Sequence, residues 1–147
     1  MNLDFKDFDK EEKLYLKKLD IIKREISIIG SKKSRKFKPY QKKMINFING
    51  KTHEVTFEIR GKIIILRKGD NIKGFKHILR KHYKNDLETM DILNLPIFFK
   101  NAIELNEQGV SNNSLTVYSN LKNQKEHRLI INEIHKDRLV VTTYRKI

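Results

Sequence analysis

Residues 52 to 67 read THEVTFEIRGKIIILR, and in this stretch the hydrophobic pattern changes from a helical period to the period of a β-strand. Val55, Phe57 and Ile59 alternate with polar residues, and a compact aliphatic run follows Gly61. Two β-prone runs separated by a glycine predict a hairpin.

The chain before the hairpin has helical periodicity and a basic linker. Residues 9 to 29 carry aliphatic side chains at helical spacing, which predicts an amphipathic helix that ends at Gly30. Residues 31 to 43, SKKSRKFKPYQKK, contain seven basic residues and no acidic one. A short helix is expected to follow, ending at Asn49-Gly50. Residues 1 to 50 are therefore predicted to form a helical appendage with a basic connector.

The chain after the hairpin is predicted to contain helices and then strands. Asp70-Asn71 is a candidate N-cap for a helix through Tyr83, and residues 86 to 106 have a helical pattern that is interrupted near Pro96. Three strands are expected after Gly109, over residues 115–119, 126–134 and 138–145. The prediction is an α+β chain in which N-terminal helices precede an antiparallel β-sheet flanked by helices, with residues 51 to 147 as the main domain.

The positive charge is concentrated in the middle of the chain. The 147 residues include 32 Lys and Arg against 18 Asp and Glu, a net charge of +14. Residues 31 to 84 hold 17 of the basic residues and three of the acidic ones, so the whole excess lies there. Such a concentration predicts binding to nucleic acid, because each phosphate that is neutralised releases counterions. A membrane surface or an acidic protein is also compatible with basicity alone.

Composition excludes several other classes. With no cysteine, disulfides, thiolate metal sites and cysteine nucleophiles are ruled out. No apolar run approaches the roughly 18 residues of a membrane-spanning helix, and the N-terminus is acidic and polar. We therefore expect a cytoplasmic protein that is not in the membrane. The histidines have no metal-ligand spacing, and no phosphate-binding glycine loop occurs, so neither a metal nor a cofactor is predicted.

The stretch NIKGFKHILRKHYK, residues 71 to 84, carries most of the candidate chemistry. On a helix, His77 lies on a face with other cations, which lower the pKa of an imidazole and suit it to act as a base. His82 falls on the apolar face, where periodicity favours a boundary histidine with a satisfied hydrogen bond. If the helix ends near His82, its ring could instead reach the same cleft as His77.

The last strand, RLVVTTYRKI, is the second candidate region. Alternation puts Val140, Thr142 and Tyr144 on one face and the residues between them on the other. Strand propensity alone also explains this composition. Arg128, in the preceding strand, could lie beside Thr142 and Tyr144 and present its guanidinium to a phosphate.

The stretch GFKHILRKHY, followed by an arginine-bearing strand and a terminal VVTTY strand, resembles a known pattern. It is similar to the phage-associated branch of the barnase–EndoU–colicin–RelE-like (BECR) ribonuclease superfamily, over roughly residues 52 to 147. The resemblance implies a BECR-like sheet. Arg138 is a close alternative to Arg128, and Thr143 is a close alternative to Thr142. The implied catalytic residues are His77, His82, Arg128, Thr142 and Tyr144. The expected RNA-binding residues are Lys73, Lys76, Arg80, Lys81 and Lys84.

The resemblance implies a metal-free endoribonuclease, commonly a toxin of a toxin–antitoxin pair or a phage-linked effector. RNA would be cleaved by attack of a ribose 2′-OH, leaving a 2′,3′-cyclic phosphate. His77 would take the 2′ proton, and His82 or Tyr144 would protonate the leaving oxygen. Arg128, with Arg80 or Lys81, would stabilise the phosphorane, and Thr142 would position the phosphate.

Other functions fit the same residues. The alternative from another class is a non-catalytic nucleic-acid-binding module or an autoregulatory partner of an acidic protein. The basic segment could also bind an acidic antitoxin or immunity protein, since an inhibitor often covers a substrate surface with complementary charge. The N-terminal helix could contact that partner or pair two protomers as a homodimer.

Overall fold

A computed structural model describes residues 2–32, 36–105, 115–120, 127–135 and 137–146. The chain is an α+β protein, as predicted. Within the described ranges, no helix is both long enough and apolar enough to cross a membrane. The elements are α1 (Asn2–Ser31), α2 (Pro39–Ile48), β1 (Glu54–Ile59), β2 (Lys62–Arg67), α3 (Phe75–His82), α4 (Thr89–Leu93), α5 (Leu95–Leu105), β3 (Leu115–Asn120), β4 (His127–His135) and β5 (Arg138–Lys146).

The strands form one mixed sheet in the order β1-β2-β5-β4-β3. β1 and β2 are the predicted hairpin, and β4 pairs antiparallel with both β3 and β5. The predicted all-antiparallel arrangement is wrong at one junction, because β2 and β5 run parallel, with Ile64 opposite Leu139. The chain between these two strands contains three helices and two strands. That connection is long enough for the crossover that a parallel pair needs.

One face of the sheet packs against the helices in a single hydrophobic cluster. α1 contributes Tyr15 and Ile22 to the same cluster that contains Ile78 of α3 and Ile64 of β2. Ile22, Ile64 and Ile78 have no exposed surface. Fully burying an aliphatic side chain contributes about 1.5–3 kcal/mol, so α1 is a substantial part of this core.

A β-bulge interrupts the last strand. On β4, Ile130 and Ile131 are consecutive, but on β5 their partners are Thr143 and Val141, so Thr142 is the extra residue. Val141 and Tyr144 therefore face the same side, and both are buried. The predicted alternation is wrong beyond Val141: Tyr144 lies on the core face, not beside Thr142. The extra residue reverses the sequence of faces.

The loop before α3 is tight and is attached to this bulge. Gly69 and Gly74 have positive φ angles of 70° and 89°, and a Cβ atom on Gly69 would lie 2.1 Å from the carbonyl oxygen of Lys73. The Gly74 amide donates to the carbonyl oxygen of Thr142 at 2.7 Å. Asp70 does not cap α3 as predicted, because its carboxylate accepts the amides of Ile72 and Lys73 and closes a turn of its own. The helix begins later, at Phe75.

Candidate active site

His77 lies in the first half of α3 and is half-buried. Its Nδ1 atom is 2.9 Å from the carbonyl oxygen of Asn71, in the preceding loop. A carbonyl only accepts, so Nδ1 must carry the proton and donate. In the neutral ring Nε2 then has the free lone pair, which is the atom that a general base needs.

The surroundings of His77 favour its neutral form. Partial burial lowers the pKa of His77 below its usual 6.5, and the nearby positive groups of His82, Arg80 and Lys81 lower it further. The hydrogen bond to Asn71 opposes this shift without cancelling it. The lowered pKa favours the neutral ring near pH 7, which is the form that can accept a proton.

His82 is the last residue of α3 and is buried, with 7% of its surface exposed. Its Nδ1 donates to the carboxylate of Asp86 at 2.9 Å. The chain becomes extended at Tyr83, and the rings of His77 and His82 lie 5.7 Å apart between centroids, at 77°. Both sequence readings of His82 thus hold in part: it faces the core with a satisfied hydrogen bond, and its ring still neighbours His77. We call these two residues the histidine pair.

Asp86 belongs to the candidate site and was not found from the sequence. Its position four residues after His82 is a signal that was available, because side chains at that spacing meet at the end of a helix. Asp86 also lies close enough to Tyr144 to act on the phenol: burial, with the carboxylates of Asp91 and Asp86, raises the pKa of Tyr144 far above its usual 10. Asp86 thus connects the histidine pair to the end of β5.

The other sequence-predicted catalytic residues have no described side-chain contact with the histidine pair. Tyr144 has no exposed surface and stacks on Phe98, with 5.1 Å between ring centroids. Thr142 is half-buried at the bulge, where its carbonyl holds the start of α3. The backbone of Arg128 pairs with Arg145, but its side chain lies outside the described residues.

Arg138 and Thr143 are the alternatives that the sequence offers for Arg128 and Thr142. Arg138 is exposed at the start of β5, four residues before Thr142 and so roughly 13 Å along the strand. Thr143 pairs with Ile130, on the sheet face opposite to Tyr144, and its hydroxyl is buried without a hydrogen-bond partner among the described residues.

Acidic residues of α1 cover much of the basic face of α3. Glu12 forms an ion pair with Lys76, and Glu11 lies 3.5 Å from Arg80. Lys18 donates to the carbonyl oxygen of Arg80 at 2.6 Å. Of the five predicted RNA-binding residues, Lys76, Arg80 and Lys84 therefore have acidic partners within the chain, while Lys73 and Lys81 form no salt bridge with another described residue.

A polar network fixes the end of α3 to α1. Both Tyr83, at 2.7 Å, and Thr89 donate to Oε2 of Glu25, and Lys84 donates to Oε1 at 2.6 Å. Burial alone would raise the pKa of Glu25, but the bonds from Lys84, Thr89 and Tyr83 outweigh it and lower this pKa to about 2. Burial and the Glu25 carboxylate raise the pKa of Tyr83 to about 12. The network therefore keeps Glu25 ionised throughout the neutral range.

Over the described part of the chain, no three His, Asp or Glu side chains are grouped so that they could hold a metal ion. No protein-family profile matches the chain, and no curated protein matches its sequence.

Proposed function

We propose that this chain is a metal-independent endoribonuclease with a BECR-like domain, and that the histidine pair performs the acid–base chemistry. One observation carries the proposal: His77 and His82 lie 5.7 Å apart, and each has its Nδ1 atom engaged by an acceptor. Neither Nε2 atom has a hydrogen-bond partner among the described residues, so both are left for a substrate in this proposal. Two imidazoles at this separation suit a reaction in which one proton is removed and another is supplied on either side of a phosphate.

The proposed reaction is an in-line transesterification. Nε2 of neutral His77 takes the proton from the ribose 2′-OH as that oxygen attacks the adjacent phosphorus. The bond from phosphorus to the 5′ oxygen breaks, and protonated His82 gives its Nε2 proton to that leaving oxygen. The products are a 2′,3′-cyclic phosphate and a free 5′-OH. Both rings end with the opposite protonation state, so the proton balance is complete.

Two features assign the acid to His82 and not to Tyr144. Tyr144 has no exposed surface, and a phenol with a pKa raised above 10 is a weak donor at neutral pH. His82 keeps some exposure next to His77, and Asp86 fixes its ring orientation.

The remaining roles rest on the exposure of two lysines and on the family resemblance. Lys73 and Lys81 are exposed beside the pair and would attract the RNA backbone. Thr142, at the attachment of α3, would position the scissile phosphate, and Arg128 would stabilise the phosphorane. A toxin acting on cytoplasmic RNA, and held in check by an acidic antitoxin, is the setting that the family resemblance suggests for this activity.

The test is incubation of the purified protein with total RNA in EDTA, followed by analysis of the new RNA ends. We expect cyclic-phosphate ends, and a loss of at least about 10²-fold in cleavage rate for His77→Ala, because that is the lower range of acid–base contributions. Ser27→Ala, at an exposed position of α1, is the matched control and should cleave normally. Circular dichroism should show that both variants are folded.

The opposite result would point to the other class of function. Intact RNA that nevertheless binds the protein at low ionic strength, with His77→Ala binding equally well, would identify a non-catalytic nucleic-acid-binding module. Cleavage that continues unchanged in His77→Ala would remove this residue from the mechanism.

A further inference from the structure

A second concave surface lies away from the histidine pair, between α1, α2 and the start of α3. It is a cleft of about 250 Å³ that is lined by neither His77 nor His82. Sites that enclose drug-sized ligands measure roughly 300–1,000 Å³, so this cleft is suited to one small group with a further part left at the rim. The side chains that matter for its chemistry are Tyr15, Phe47, Phe75, Lys23, His53 and Lys68.

The aromatic residues of the cleft form a fixed apolar wall. Phe47 and Phe75 pack edge to face with 5.1 Å between their ring centroids. Tyr15 is 3% exposed, and the ammonium groups of Lys76 and Lys68 lie 5.2 Å and 6.0 Å from its ring centroid. Rings that are already ordered lose little entropy when a flat ligand contacts them, so the wall is preorganised.

The rim of the cleft is basic. Lys23, Lys68 and His53 are all exposed, and none of the three forms a salt bridge with another residue that the structure describes. No acidic side chain lines the cleft. Another cleft, of about 360 Å³, differs in this respect, because Glu25 and Glu88 line it beside Lys84. Lys76 and Arg80 of α3 are paired with acidic residues of α1, whereas the cations at this rim are available to an anion.

We propose that this cleft binds a nucleoside monophosphate group. Its base contacts the ring edges of Phe47, Phe75 and Tyr15, and its phosphate lies at the rim between Lys68 and Lys23. Base–aromatic contact and charge-assisted hydrogen bonds to phosphate are the two interactions that nucleotide sites combine. The same group occurs in a free nucleotide and as a residue of an RNA chain. The second source rests on the proposed function, since that RNA would also reach the histidine pair.

The test measures binding of adenosine 5′-monophosphate to the full chain by titration calorimetry. Loss of one charged contact to phosphate should weaken binding by about tenfold in Lys68→Gln. Lys42→Gln removes the same charge from an exposed position of α2 outside the cleft, and should bind as the native chain does. Adenosine and inorganic phosphate, each added alone, should both bind more weakly than the monophosphate.

A second arm separates the two sources of the nucleotide. A short 2′-O-methyl RNA cannot be cleaved by 2′-OH attack, so its affinity reports binding alone. Weaker binding of this RNA to Lys68→Gln than to Lys42→Gln supports an RNA residue as the occupant. Equal binding of the RNA to both variants, with the monophosphate still weakened by Lys68→Gln, supports a free nucleotide.

The proposal has a clear contrary result, which does not depend on cleavage. Failure of the monophosphate to bind at millimolar concentration, or equal affinities in Lys68→Gln and Lys42→Gln, overturns it. His77→Ala should bind the monophosphate with native affinity, because His77 does not line the cleft. A protein that does not cleave RNA but still binds the nucleotide would therefore contradict the proposed ribonuclease activity and support the proposed nucleotide site.

Discussion

The two ends of α3 are held in different ways. At its start, His77 is bound to a backbone carbonyl in a glycine-rich loop, and the neighbouring Ile72 is 80% exposed. At its end, His82 is buried against Asp86, and the next two residues are bound to Glu25 of α1. The loop at the first end is exposed to solvent at Ile72, so we call this the open end, whereas the second end is fixed by charged side chains.

In the proposed mechanism, the residue that reacts first, His77, and the residues that hold α3 in place therefore lie at different ends of one short helix. Backbone groups do not titrate, so the orientation of His77 is independent of pH over the range in which the ring itself changes charge. The contacts at the other end depend on carboxylates, and they weaken when those groups are protonated. The open end is therefore expected to control the rate, and the fixed end to control ring geometry and stability.

The largest expected effect is on the pH dependence of the open end. His77 must be neutral to act as a base, and its pKa lies below 6.5. On the acidic side of the pH profile, kcat/KM should therefore fall only below about pH 6.5, by tenfold per pH unit below the pKa of His77. Initial cleavage rates between pH 4.5 and 8 measure this, with circular dichroism at each pH to verify the fold. A rate that already falls on lowering the pH from above 7 would contradict the assignment of His77 as the base.

A smaller effect is expected at the fixed end, from Asp86→Asn. The amide does not provide the carboxylate that orients His82, so kcat should fall roughly tenfold, a fraction of the 10² to 10⁴ that acid–base catalysis contributes. KM should change little, since Asp86 is not proposed to contact RNA. Asp20→Asn removes the same charge from an exposed position of α1 and should cleave normally. Equal rates in the two variants would exclude Asp86 as a positioning residue.

The smallest effect is on stability, from Glu25→Gln. The pKa of Glu25 falls from 4.5 to about 2 on folding, so its contribution is present above pH 4.5 and disappears as the pH falls toward 2. At pH 7 the variant should lose about 1 kcal/mol of unfolding free energy, a discounted figure because this group is partly exposed. Urea denaturation at pH 7 and near pH 2 measures this, with the exposed Glu54→Gln as control. An equal loss at both pH values would show that the carboxylate charge is not the cause.

The amino-acid pattern predicted the secondary structure well, because each element has its own periodicity. The hairpin of β1 and β2, the helix that ends at Asn49-Gly50 and the strand from Arg138 all agree with the structure to within two residues. The parallel pairing of β2 with β5 was not predictable. It depends on where the chain returns after α5, and no local pattern carries that information.

Sequence patterns also reveal only those parts of the candidate site whose residues are close together in the chain. His77 was found from one helix face, because its neighbours in the sequence are also its neighbours in space. The covering of Lys76 and Arg80 by Glu12 and Glu11 links residues more than 60 positions apart, so the sequence pattern did not reveal it. The bulge at Thr142 was also missed, since Val-Thr-Thr-Tyr contains no glycine or other sign of an inserted residue.

The inserted Thr142 lets the last strand bind the start of α3 in addition to pairing within the sheet. An inserted residue interrupts the regular pairing between strands, and here the carbonyl of Thr142 accepts the Gly74 amide at the start of α3. This hydrogen bond joins α3 to an interior strand of the sheet. A shift of β5 by a single residue would break the bond and displace the start of α3. The exchange rate of the Gly74 amide proton consequently measures how stably the helix that carries His77 is attached to the sheet.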